Sequence, residues 1–312
     1  MSKKIAVQFR KSARTRHAYE RLRQCKSCGN YTALWTDHCL QCGETGQLRT
    51  LNEIAQSIHR RNTVRDAMIV FSISLAAFFL AETFAQMAIA IVAGIAFVAG
   101  YIFLSRRYAL AVESRLLHQM LVTENRAIRD GLLLDIEDAA GDLKADEHKA
   151  AYEKLREIGY LITGNQVKVL KLMCLSHFIL RSDMDLELSA LVPTGFEPDF
   201  VRYLNEVLKI SPQLVKRDTL NYVVKHRSSI EASEGGRETL ILAAGAALRV
   251  KSYVVQYQHL IADFVEELPR ERLLRLCKLL QGSHEEAPEL YDKARDTVKL
   301  KHDFDPEFQG LV

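Results

Sequence analysis

The sequence predicts an all-α membrane protein: a small N-terminal cysteine module, a two-helix transmembrane hairpin and a cytoplasmic helical bundle or short α-solenoid. Three observations predict it. Four of the six cysteines fall between residues 25 and 42, residues 67–104 are almost wholly apolar, and beyond residue 106 apolar residues recur at three- and four-residue spacing. Average composition conceals this organisation, because 48% hydrophobic and 26% charged residues look ordinary for a soluble chain of 312 residues. Charge separates the segments. Residues 1–66 hold 13 Lys/Arg against 5 Asp/Glu, a formal +8, and since the whole chain is +3 the remainder is −5.

The chain begins with a basic arm, residues 1–21. Within residues 3–26 stand Lys3, Lys4, Arg10, Lys11, Arg14, Arg16, Arg21, Arg23 and Lys26, with Glu20 the lone acid. The first 20 residues are polar and carry no apolar run or small-residue cleavage site, so no secretory signal is expected. Arg10, Lys11, Arg14 and Arg16 are candidate contacts for anionic lipid or nucleic acid. Phosphate attraction requires only positive charge and so does not choose between them, nor against an acidic protein surface, including the later domain of this chain. A solvated tail is the alternative.

The cysteine module spans residues 22–48. Its pattern is Cys25-x2-Cys28-x10-Cys39-x2-Cys42, and glycine follows each pair directly, at Gly29 and Gly43. Two tight backbone knuckles require a positive φ after the second cysteine, which glycine supplies at little strain. Together they direct four thiolates tetrahedrally at one ion. Disulfides or unrelated thiols are the alternatives, and disulfides require an oxidising compartment. The segment resembles the four-cysteine zinc-ribbon group over about residues 22–46. The resemblance implies one structural Zn2+ on Cys25, Cys28, Cys39 and Cys42, with no open coordination position for catalysis. His38 is surplus to the four. Tyr31 to Trp35 is expected as a short strand, with Tyr31 and Trp35 filling the small core. Cys174 and Cys277 sit in apolar helical contexts and are expected to be buried small hydrophobes.

Thr50-Leu-Asn-Glu53 reads as a capping box opening a juxtamembrane amphipathic helix, residues 50–66. Its basic end holds His59, Arg60, Arg61 and Arg65. Arg60 and Arg61 are further candidates for anionic headgroups or nucleic acid. Residues 67–105 follow. As one helix the apolar stretch would extend about 57 Å, well beyond a hydrocarbon core of about 30 Å. Two passes are therefore expected, about 67–83 and 86–105, broken at Glu82-Thr83 with Gln86 nearby. Arg65 before and Arg106-Arg107 after place both ends, and both termini, on the cytoplasmic side of an inner membrane. The second pass has small-xxx-small pairs, Ala90/Gly94 and Ala96/Gly100, suited to close helix approach within the hairpin or between copies in a homo-oligomer. Glu82 is expected as an interfacial turn residue.

Residues 106–312 are expected to form seven to nine helices. The first continues to about Ala139, and residues 238–266, with Leu240, Leu248, Val254, Ile261 and Phe264 on one side, form a central core helix. Thr194/Glu197 and Ser283/Glu286 have capping-box spacing, and Ser211-Pro212 has the form of an N-cap followed by proline. The segment Leu180-Arg-Ser-Asp183-Met-Asp185-Leu-Glu187 resembles the acidic loop of the tellurite-resistance-B type of helical domain, though it lacks that family's glycine. A solvated turn with an acidic helix start accounts for the same residues. There is no phosphate-binding glycine loop, paired zinc histidine motif or nucleophile elbow. The expected function is a non-enzymatic adaptor or regulator that organises cytoplasmic or membrane partner proteins at the inner face. A membrane-tethered nucleic-acid binder and a component of a membrane enzyme or transport complex are the alternatives.

Overall fold

The computed structural model describes residues 4–12, 14–81, 83–281 and 286–311. Lys3, Glu82 and Ser283, singled out above, lie outside them. The described chain is mostly helical, 66% by residue, with a small three-stranded sheet. It divides into two compact units, Lys11–Ala139 and a second made of Met1–Arg10 with Ala140–Val312.

In the Lys11–Ala139 unit, strands β1 (Arg23–Cys25), β2 (Tyr31–Thr32) and β3 (Leu48–Thr50) form an antiparallel sheet in the order β2-β1-β3. Leu22, Tyr31, Leu34 and Leu51 fill its core. Tyr31 is buried as expected, but Trp35 is not, being 40% exposed beneath the Arg23 guanidinium, which lies 4.0 Å from the ring centroid. So few residues have no room for two large aromatics, and an exposed indole retains a cation–π partner.

Thr50 ends β3 and is also the N-cap of α1 (Leu51–Phe79), with the full capping box to Glu53. The expected juxtamembrane helix and first pass are thus one unbroken helix of 29 residues. Helix α1 is capped at Leu80, and α2 (Phe84–Arg107) opens through a second capping box, Thr83 with Gln86. Both helices are long and apolar enough to cross a membrane. Thr63 meets Ser105 hydroxyl to hydroxyl at 3.0 Å, Tyr101 donates to Asp66 at 3.0 Å, and Gly94 lies against Ser74. These three levels define an antiparallel hairpin. Its outer face carries Phe71, Ile73, Phe79, Ile89, Val92, Ile95 and Phe97, all exposed, while Phe84 at the turn is 91% exposed.

The helix expected from Arg107 to Ala139 is interrupted at Tyr108 and Glu124, giving α3 (Ala109–Thr123) and α4 (Asn125–Lys144). The first break lets α3 turn and pack against α1.

The second unit contains α5 (His148–Gly159), α6 (Asn165–Leu175), α7 (Leu188–Leu191), α8 (Pro198–Ile210), α9 (Arg217–Lys225), α10 (Arg227–Glu231) and α11 (Gly236–Ala247). After these come α12 (Lys251–Gln256), α13 (Gln258–Asp263), α14 (Arg270–Leu280) and α15 (Pro288–Lys301). With thirteen described α segments after α2, from α3 to α15, the expectation of seven to nine after residue 106 undercounted the short ones. Phe200, Val201, Leu204, Val207 and Leu208 form one buried stripe on α8, which packs against the alanine-rich face of α11.

The core helix expected over residues 238–266 is three helices and a 3-10 turn. Arg275 on α14 takes the carbonyls of Leu248 and Arg249 at 2.9 and 3.2 Å, occupying acceptors that a further helical turn would need. Tyr257 donates to Asn221 at 2.7 Å at the next break. Thr194 lies in a bend and α8 opens at Pro198, so Thr194/Glu197 is not a capping box. Pro212 opens a 3-10 turn with Ser211 at its N-cap, at the expected place.

The first residues are not a separate arm throughout. Ile5 bridges Phe178, its N–H donating to the His177 carbonyl at 2.9 Å, and Phe9 packs on Tyr152 and Phe178 with ring centroids 4.6 and 5.4 Å away. An extended chain with apolar residues at positions 5 and 9 finds in this unit a ladder partner and an apolar surface, so hydrophobic burial overrides the basic character of the arm.

Candidate metal centre

The two knuckles are built alike. In each, the N–H of the first cysteine reaches the carbonyl five residues on, Asn30 from Cys25 at 2.8 Å and Glu44 from Cys39 at 2.9 Å. The glycine N–H returns to the first cysteine's carbonyl, Gly29 at 2.9 Å and Gly43 at 2.8 Å. Both glycines have φ near +75°, at 76° and 74°, so the Cys-x2-Cys-Gly spacing is explained by a backbone that only glycine adopts without strain.

The four sulfur atoms all lie within 4.8 Å of one another. Cys25 faces Cys42 at 3.7 Å and Cys28 faces Cys39 at 3.6 Å, each pair joining the two knuckles. Thiolates about 2.3 Å from a central cation form a tetrahedron with edges of about 3.8 Å. The observed spacings fit that figure and greatly exceed a disulfide bond of about 2.05 Å. All six cysteines are unpaired thiols. The cluster could therefore hold a metal ion, whose closed set of four sulfurs suits a structural role.

The thiols compete for protons. Burial opposes ionisation of Cys25, but backbone N–H groups of Cys28 and Ser27 and the neighbouring thiols of Cys42 and Cys28 hold it down at about 7. Burial and the facing thiols push Cys28 up to about 12. Once one sulfur is ionised the others resist, and a central cation removes that resistance by binding the thiolates together. His38 is outside the cluster and forms a bridge with Thr45. Cys174 and Cys277 are fully buried in the second unit, where burial pushes their thiols up to about 12 and about 11, so they remain protonated packing residues.

Helix α4 supports the sheet from below. Asp135, fully buried, accepts from Thr32 Oγ1 and from the Ala33 N–H, both at 2.7 Å. Tyr31 donates its hydroxyl to Glu124. A Cβ at Gly131 would stand 2.9 Å from the Tyr31 carbonyl carbon, so only glycine lets α4 approach β2 this closely. Sequence reading missed Glu124, Gly131 and Asp135, about 100 residues from their partners. An acid and a glycine spaced four apart on an apolar helix face were the only local sign.

Of the other sequence candidates, Arg10 belongs to the second unit and Lys11, Arg14 and Arg16 to the first. Arg60 and Arg61 stand exposed on α1, just before its apolar part. Arg10 itself is held by its backbone, its N–H donating to Glu153 at 2.8 Å and its carbonyl accepting from Arg156. None of these six side chains forms an ion pair among the described residues. Against known proteins, no family model, no curated protein and no solved structure matches the chain. The thiol cluster joined to an apolar hairpin is the feature from which its function is read.

Proposed function

We propose that this chain is a membrane-anchored zinc-ribbon adaptor that organises partner proteins at the cytoplasmic face of an inner membrane. The observation that carries the reading is Thr50, last residue of β3 and N-cap of α1. No linker separates the four-thiol module from the apolar helix, so the module is presented at a fixed height above whatever the hairpin enters. Lipid is the solvent that suits the exposed apolar faces of α1 and α2, whose backbone groups are satisfied within each helix. Arg60, Arg61, Arg106 and Arg107 flank the apolar stretches and favour a cytoplasmic location for both ends. Zn2+ suits four thiolates in a reducing compartment and supplies folding free energy to a module whose core is only a few side chains. Exposed Lys11, Arg14 and Arg16, in the arm that precedes that module, favour contact with anionic headgroups.

Crosslinking of the full chain in native membranes tests the reading. One reproducible partner protein, retained in membranes washed at alkaline pH and lost when Cys28→Ser removes a ligand, is the expected result. Recovery of the chain in the aqueous fraction, or a membrane-bound chain that captures no partner, overturns it.

A further inference from the structure

Residues 4–10 lie on the second unit as a bound peptide would, held at three points. At Ile5 both main-chain groups are taken: its N–H donates to the His177 carbonyl at 2.9 Å, and its carbonyl accepts from the Ile179 N–H at 3.0 Å. At Phe9 the ring rests on Tyr152 and Phe178. At Arg10 the main chain is taken again, its N–H by Glu153 at 2.8 Å and its carbonyl by the Arg156 guanidinium. The receiving surface is thus the chain at 177–179 together with Tyr152, Glu153 and Arg156 of α5.

Two features distinguish this contact from core packing. The surface is buried and the segment on it is not. Phe178, Tyr152 and Arg156 are 0%, 1% and 9% exposed, whereas none of residues 4–10 is buried and Ile5 is 53% exposed. A segment with so little buried area opens at the low end of a protein's stability range, and its exposed Lys4–Glu206 ion pair adds little. The second feature is what the surface reads. At positions 5 and 10 it reads main-chain groups, and at position 9 it reads an aromatic ring. Peptide recognition by strand addition divides the work in this way, main-chain bonds giving affinity and a side-chain contact giving specificity. Emptied, the surface would uncover two aromatic rings and take an acceptor from Arg156, whose buried Nε already has no partner among the described residues. Both changes are costly, so exchange of one occupant for another is favoured over vacancy.

We propose that this surface docks an extended segment of a partner protein, recognised by an aromatic residue four positions after the residue that pairs with 177–179, and that residues 4–10 occupy it in cis as the competitor which that segment displaces. The partner itself rests on the adaptor reading, but a synthetic peptide reports on the surface without it, so either can fail alone.

The test is fluorescence anisotropy of a labelled peptide of residues 4–12 titrated with the full chain in detergent micelles. Ile5→Pro with Phe9→Ser in the chain removes a ladder donor and the ring, and so frees the surface. This double variant, with its helical signal retained, is expected to bind the peptide saturably. Wild type is expected to bind about tenfold more weakly, because the cis segment leaves only a fraction of the surface open. Peptide bearing Phe9→Ser should bind the double variant about tenfold more weakly, and peptide bearing Lys4→Ala within about twofold of the parent. Ile5→Pro alone should give intermediate affinity, and it decides the matter if the double variant fails to fold. Absence of saturable binding to folded variants, equal affinity in wild type and variants, or undiminished binding of the Phe9→Ser peptide overturns the proposal. So does a wild-type dimer in micelles that the double variant reduces to a monomer, which would give the surface to the same segment of a second copy.

Discussion

Asp135 of α4 holds the loop after β2 with both carboxylate oxygens, one on Thr32 Oγ1 and one on the Ala33 N–H, each at 2.7 Å. Both donors are buried, so neither can turn to water when the acid is removed. Asp135→Ala should destabilise the sheet by about 3 kcal/mol, the scale for losing hydrogen bonds to a charged group and stranding their donors. Asp135→Asn retains one acceptor and should lose less. Thermal unfolding in detergent, monitored by the single tryptophan, Trp35, measures both.

Removal of a cluster thiol should abolish metal binding without affecting the buried thiols elsewhere. Wild-type protein is expected to carry one zinc per chain by elemental analysis, Cys28→Ser well under half of that, and Cys277→Ser the full amount. Strong chelator should release the metal and unfold residues 22–48 while the helical signal persists, because metal binding and folding of so small a module are one equilibrium. Retention of zinc by Cys28→Ser would place the metal elsewhere.

His148 gives the second unit an acid-sensitive element. Its ring stacks on His177 at 3.7 Å, with Asp146 3.7 Å from Nε2, and its buried Nδ1 has no hydrogen-bond partner. Burial first, and then the charge of His177, lower its pKa below 6.5, while Asp146 works the other way. The unfolded chain therefore takes up this proton at a higher pH than the folded one. Stability is fully present above pH about 6.5 and declines as pH falls below it. The melting temperature should drop between pH 6.5 and 5, and His148→Gln should flatten that decline.

The hairpin distinguishes its two glycines. At Gly94 a Cβ would stand 2.8 Å from Ser74 Cβ, whereas at Gly100 it would meet nothing within 4 Å. Gly94→Leu should separate α1 from α2 and destabilise the pair by about 1–3 kcal/mol, and Gly100→Leu should be tolerated. Protease resistance of the purified protein in detergent, compared across the two variants, reads the difference. Equal sensitivity would mean that the helices do not meet at Ser74.

Local rules placed the thiol cluster and the hairpin because their signals are short in sequence. Cysteines three apart with a following glycine suit a knuckle, whose backbone closes within five residues, and Thr50 with Glu53 caps the start of a helix through contacts only three residues apart. The turn was readable for the same reason, although the second capping box, Thr83 with Gln86, was read only as a polar break. Trp35 was misplaced because residue type alone does not say which of two nearby aromatics the core has room for.

Chain order thus determined which residues could hold a metal ion, where the apolar helices begin and where charge accumulates, since each depends on spacing over a few residues. Only the tertiary structure decided that Asp135 and Gly131 brace the sheet and that Ile5 and Phe9 belong with Tyr152 and Phe178. Those relationships join residues about a hundred or more positions apart. Burial and close approach select such partners only once the whole unit has packed.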